Sequence, residues 1–156
     1  MVFKRFTFEP HTIWYIDETG CSTVTNPPKV IAVKGMKQVG QVTSAERGNL
    51  VIVVGFMNAS GDTIPSAFVF PRAHYKDFML KDSPKGALGF ANPSGWITKE
   101  GFLFAITHCI KYTSPSKEKP CLILIDNHKT HMTLETVMLV RENIIIILTF
   151  PPHCSH

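Results

Sequence analysis

The stretch "CLILID" (121–126), followed by "TLETVMLVREN" (133–143) and "IIIILTF" (144–150), constrains the fold more than any other part of the chain. An apolar run without alternation has both of its faces covered, as in a parallel strand. A helix-spaced segment between two such runs makes a strand–helix–strand unit, whose crossover is right-handed and whose strands pair in parallel. The helix is expected to turn Leu134, Val137 and Met138 inward. The first strand ends on Asp126, with Asn127, His128 and His131 just beyond it. Open α/β sheets bind their ligands outside the carboxyl ends of the strands, so Asp126 stands where a site is expected.

The rest of the chain supplies the other elements. "TIWYID" (12–17) reads as a strand ending on Asp17, with "ETG" as a turn, and "NLVIVVGFMN" (49–58) as a strong strand. "ASGD" turns the chain into "TIPSAFVF" (63–70), where Pro65 belongs near the strand's start. "PPKVIAVKGMKQVGQVTS" (27–44) predicts one or two short strands broken by Gly35 and Gly40. Residues 71–97 read as a long loop, a length that usually signals function or mobility. "TKEGFLFAITHCIKY" (98–112) predicts a helix capped by Thr98, with Phe102, Ala105, Ile106, Cys109 and Ile110 on its inner face. The fold class expected is α/β: an antiparallel meander, then helix–strand–helix–strand, joined in one mixed sheet. Trp14, Trp96 and the eleven phenylalanines are expected in the core, where aromatic burial dominates.

Asp17 and Asp126 each close an apolar strand. If those strands are neighbours, the two carboxylates meet at one end of the sheet, and a cation between them relieves their repulsion. Mg²⁺ and Mn²⁺ take such hard oxygen ligands, and a metal pair can activate a nucleophile and stabilise the leaving oxygen of a phosphodiester. The competing reading is that both aspartates cap turns, a common role for Asp. Asn127 and His131 are candidates for supporting Asp126 or meeting a substrate oxygen, or for local turn bonding. His128 is given no role. Glu18 is expected on the opposite side of the strand from Asp17, in a structural ion pair or in solvent. A zinc site built from His128, His131, His153, Cys154 and His156 is the least favoured reading, because the H-x-x-H and H-C-x-H patterns have no C-x-x-C pair beside them and zinc needs about four converging ligands.

A chain of 156 residues fits one domain, and 44% hydrophobic against 18% charged residues is the balance of a folded protein. The net charge of +4 permits a nucleic-acid partner without demanding one. Arg72, Lys76, Lys81 and Lys85, on the long loop with His74, are the candidate phosphate contacts. The four cysteines have no C-x-x-C spacing and predict free thiols in a reducing compartment. The apolar runs fall far short of the ~20 residues that span a bilayer.

The blocks "YIDETG", "KQVGQVTSAERGNLVIVVGFMNASGDTIPSAFVFPR", "GFANPSGWIT", "PSKEKPCLILIDNHKTH" and "RENIIIILTFPPHCSH" together resemble the catalytic domain of pogo/Tigger/jerky-type transposases, the DDE endonucleases of the mariner-like group. The resemblance runs from about Thr12 to the last residue. It implies a ribonuclease H-like fold and Mg²⁺- or Mn²⁺-dependent DNA cutting and joining. Its first acid falls on Asp17 and its second on Asp126. The family's third acid follows the "PPHCSH" block and its helix-turn-helix region precedes the first catalytic strand. The expectation is thus a single catalytic-type domain over 1–156 that lacks both, a DNA-binding and nuclear protein, with homo-oligomers formed by the full-length form. The alternative is a catalytically inactive, domesticated relic that binds DNA or protein.

Overall fold

Strand pairing orders the chain into one mixed sheet in the computed structural model, which describes residues 6–24, 29–36, 48–128 and 130–151. Strands β1 (Ile13–Ser22), β2 (Leu50–Asn58) and β3 (Ala67–Phe70) form the antiparallel meander, and β4 (Leu88–Ala91) pairs in parallel with β3. Helix α1 (Lys99–Thr113), β5 (Cys121–Ile125), α2 (Leu134–Glu142) and β6 (Ile145–Thr149) follow. The spatial order is β4-β3-β2-β1-β5-β6, with β5 parallel to both β1 and β6. This is the α/β arrangement that the order of elements predicts.

Alternation along the strands divides the sheet into two faces. Trp14 and Ile16 of β1, Ile52, Val54 and Phe56 of β2, and Ile123 and Ile125 of β5 are buried in one cluster with Phe102, Ala105, Ile106 and Cys109 of α1. The expected inner face of α1 is therefore the observed one, with Ile110 packed at its margin. Thr98 caps the helix, its Oγ1 accepting the Gly101 N–H at 3.1 Å, which satisfies one of the donors a helix start leaves open. Ser114, in the left-handed region at φ 44°, ends it.

Gly101 sits in the first turn of α1, where a Cβ would fall 2.6 Å from Phe90 Cε2 and 3.2 Å from Ile97 Cγ1. Helix propensity favours Ala over Gly by about 1 kcal/mol, but overpacking costs about 1–3 kcal/mol. Gly101→Ala is therefore expected to lower stability in urea titrations. A gain would mean that Phe90 swings clear freely.

Several expectations are corrected. Asp17 does not end β1, because Glu18 to Ser22 continue the ladder against Val54 to Leu50. Those backbone hydrogen bonds outweigh the turn signal of "ETG". The segment 71–97 is not all loop: it holds a 3₁₀ turn at Asp77–Leu80 and strand β4. Residues 29–36 form no strand and turn at Lys34–Gly35, with Gly35 at φ 95°. The remainder of the predicted 27–44 strands lies outside the described residues, apart from those positions. On α2 the inward residues are Thr136 and Val140, while Leu134, Val137 and Met138 are exposed. The cap sets this phase: Thr133 accepts the Thr136 N–H at 3.2 Å and the two hydroxyls meet at 3.1 Å, so Thr136 is buried with its polar atoms satisfied. β6 is an edge strand, with Ile145 its one fully buried residue. Phe6, Phe78, Phe104 and Trp96 are exposed rather than core.

Candidate functional site

The register of β1 against β5 decides where the two acids stand. Ile13 lies opposite Leu122, Trp14 opposite Ile123 and Tyr15 opposite Leu124. The same register, carried two residues further, sets Asp17 opposite Asp126. Opposed residues of parallel neighbours point to the same face. Both aspartates line one cleft of about 290 Å³, together with Glu18, Trp96, Ile97, His128 and His131.

Each carboxylate is held by short local bonds. Asp17 Oδ1 accepts the Glu18 backbone N–H at 2.9 Å and Oδ2 accepts the Tyr15 hydroxyl at 3.0 Å. Asp126 Oδ1 accepts the His128 backbone N–H at 3.1 Å. The Tyr15 phenol titrates above its ordinary value, first through burial, then through its bond to Asp17 and the charges of Asp17 and Asp126. One phenol thus senses both acids.

His131 links the cleft from beneath. Its side chain is 8% exposed and stacks on Phe102 of α1, ring centres 4.1 Å apart. Nε2 donates to Glu18 Oε1 at 2.9 Å. Nδ1 lies 2.6 Å from Asp126 Oδ1, in an ion-pair contact without the alignment of a straight hydrogen bond. Burial pushes the imidazole toward its neutral form, yet the bond to Glu18 and the charges of Asp126 and Glu18 together hold it above its ordinary value. Glu18 does leave the strand on the α1 side, away from Asp17, and it finds the predicted ion pair. What the sequence conceals is that this pair reaches Asp126 through one imidazole. Glu18 and His131 are 113 positions apart, and no local pattern connects them.

The other candidates fall elsewhere. Asn127 is exposed and makes no hydrogen bond with another described residue. Arg72, Lys76, Lys81 and Lys85 are exposed on the segment between β3 and β4, and none of them lines the acidic cleft. Lys76 and Lys81 flank the 3₁₀ turn, and Arg72 holds Asn49 Oδ1 at 3.3 Å. His128 lines the cleft, with Nδ1 2.7 Å from Thr130 Oγ1. The zinc reading loses His131, whose two nitrogens face carboxylates, while His153, Cys154 and His156 lie outside the described residues. Cys21, Cys109 and Cys121 are free thiols, the latter two pushed up to about 12 by burial.

The donor set is of hard oxygens, which suits Mg²⁺ or Mn²⁺ rather than zinc. Among the described residues, however, no three His, Cys, Asp or Glu side chains converge as a complete metal site. Asp17 and Asp126 supply two carboxylates, and the cleft's third, Glu18, is engaged by His131.

No family model matches the chain. Over 130 residues, 81% of its length, it is 30% identical to the MFS-type transporter clz9 of Cochliobolus lunatus, of which it spans 14%. No helix among the described residues is long and apolar enough to cross a membrane. Solved structures carry the same fold. The Mos1 mariner paired-end complex with Mn superposes with a TM-score of 0.59 at 14% identity, over 98% of this chain and 39% of that one. The pre-cleavage Mos1 transpososome gives 0.59 at 13% identity, over 98% and 40%. The Mos1 strand transfer complex gives 0.58 at 14%, over 98% and 38%. The described sheet and helices thus have the fold of the mariner transposase chains, and this chain spans about two fifths of their length.

Proposed function

We propose that the chain is the catalytic-type domain of a transposase-derived, DNA-binding protein of the pogo/Tigger/jerky branch, acting on DNA in the nucleus through a divalent cation held by Asp17 and Asp126. The observation that carries this reading is that the two aspartates, on neighbouring parallel strands, line one cleft, on a fold shared with Mos1 transposase. A bound cation would supply Lewis-acid stabilisation of a phosphodiester's developing charge. The chain's own residues prepare that site. Tyr15 and the Glu18 amide fix the Asp17 carboxylate, and the His128 amide with His131 fixes Asp126 Oδ1. Asn127, exposed beside Asp126, offers an amide donor to a phosphate oxygen. Arg72, Lys76, Lys81 and Lys85 contribute backbone affinity without sequence choice.

Because two acids alone hold a cation weakly, incubation of supercoiled plasmid with the protein and Mn²⁺ is expected to give only slow nicking, and Asp126→Asn to return it to background while DNA binding persists. Changing Lys76, Lys81 and Lys85 to Ala should flatten the dependence of log affinity on log salt by about 0.9 for each phosphate that is no longer neutralised. Salt-sensitive binding with no nicking in Mn²⁺ is the outcome of the alternative, a domain that holds DNA without cutting it. Absence of DNA binding would overturn both.

A further inference from the structure

Trp96 is the one described cleft residue whose placement the acid pair does not explain. Its side chain is 61% exposed, whereas the chain's other tryptophan, Trp14, is 6% exposed in the core. An indole is among the side chains that gain most from burial, yet this one stands in solvent at the wall of the cleft that holds Asp17 and Asp126. Its backbone is clamped. Asn92 Nδ2 donates to the Trp96 carbonyl at 2.7 Å and to Ser94 Oγ at 2.7 Å, and the Trp96 N–H donates to Ser94 Oγ at 3.3 Å. Gly95 N–H closes the turn on the Asn92 carbonyl at 2.8 Å. Gly95 takes φ 73°, and a Cβ there would lie 3.2 Å from Pro71 Cβ. On the other side Ile97 is buried, and Thr98 caps α1. The loop therefore spends its hydrogen bonds on fixing the backbone beneath an indole that remains free.

We propose that Trp96 is a stacking platform for a nucleobase of the DNA strand brought to Asp17 and Asp126, an inference that rests on the DNA-directed reading above. Electrostatics favours a base over a phosphate as its ligand. A phosphate is drawn to Asp17 and Asp126 only through their bound cation, which the indole does not touch, whereas a neutral base offers a π face that aromatic side chains bind regardless of sequence. Positive charge lies just outside: Pro71, which meets Gly95, is followed by the exposed Arg72. A strand can thus place a phosphate near Arg72 and a base on the indole. Because the backbone is already fixed, stacking has to order only the side-chain torsions of the indole.

The test uses the chain's two tryptophans. A Trp14→Phe variant reports on Trp96 alone, and if that core change unfolds the chain, wild type serves, since Trp14 is shielded. Single-stranded and frayed-end oligonucleotides are titrated in Ca²⁺, with binding followed separately by anisotropy of a labelled strand. Saturable quenching of Trp96 emission is expected. Trp96→Ala should weaken binding about 5- to 150-fold, the range for loss of one base–aromatic stack, with Trp96→Phe restoring most of it and an unchanged melting temperature in both. Oligonucleotide binding with unaltered emission, or with equal affinity for Trp96→Ala, overturns the stacking role and leaves the DNA reading intact. A concentration-dependent blue shift of Trp96 without DNA also overturns it, since a second copy then covers the indole. Absence of any oligonucleotide binding sinks both.

Discussion

Replacing Phe102 with alanine is expected to remove about 3–5 kcal/mol of stability, the usual cost of emptying a buried aromatic site. The ring is 1% exposed and lies in the cluster between α1 and the sheet. It is also the surface on which His131 rests, 4.1 Å away, so two losses coincide. Total stability of a domain is about 5–15 kcal/mol, which makes this a large share of the whole. The melting temperature should fall by roughly 6–20 °C, at about 2–4 °C per kcal/mol for a chain of this size. Urea titration checks it through a lowered midpoint at unchanged slope. A loss under about 1 kcal/mol would mean that α1 is not seated on the sheet through this residue.

Substituting His131 with glutamine should destabilise the metal-free protein in a pH-dependent way. The imidazole is protonated more readily folded than unfolded, because Glu18 and Asp126 face it while burial opposes them less strongly. A raised folded value gives stability that is full below the unfolded value, near 6.5, and lost as pH climbs through the folded one. The wild-type advantage over His131→Gln is therefore expected to be about 2 kcal/mol at pH 6, in the range for a charge-assisted hydrogen bond, and smaller at pH 9. Glu18 is 21% exposed and Asp126 38% exposed, so solvent screens the Asp126 contact and most of the effect belongs to Glu18. His128, whose ring lies 5.5 Å from that of His131, is kept in both proteins. Chemical denaturation in chelator at the two pH values decides the matter. An advantage equal at both would show that the charge of His131 plays no part in holding the fold.

The elements legible in the chain were those whose signals are local. Thr98 and the spacing of Phe102, Ala105, Ile106 and Cys109 mark α1 without help from elsewhere, and the unbroken runs 121–125 and 145–149 mark a parallel pair. The misread strands were set by distant partners, whereas α2 was misread despite a local cap. β4 is four residues, Leu-Gly-Phe-Ala, flanked by glycine and proline, and it is a strand only because β3 lies beside it. β1 outruns its turn signal because β2 supplies the ladder. α2 carries apolar residues on several sides, and its phase is chosen by the Thr133–Thr136 cap rather than by its hydrophobic count. At the site, the place of Asp126 at the tip of β5 could be read, whereas Asp17 proved to lie mid-strand, and the strand order brings the two together. The imidazole bridge and the exposed indole could not, since each depends on how separate loops meet over the sheet's end.

The matched offset of β1 and β5 means that the cleft is addressed by counting outward from Trp14 and Ile123. A strand has a repeat of two, so one residue inserted before Asp17 would rotate its carboxylate to the α1 side and leave the residue before it facing the cleft. Length changes in connecting segments leave that count untouched. Variation in such a chain is thus tolerated between strands and penalised within them, and the chemistry travels with the parity of two short stretches rather than with the shape of any loop.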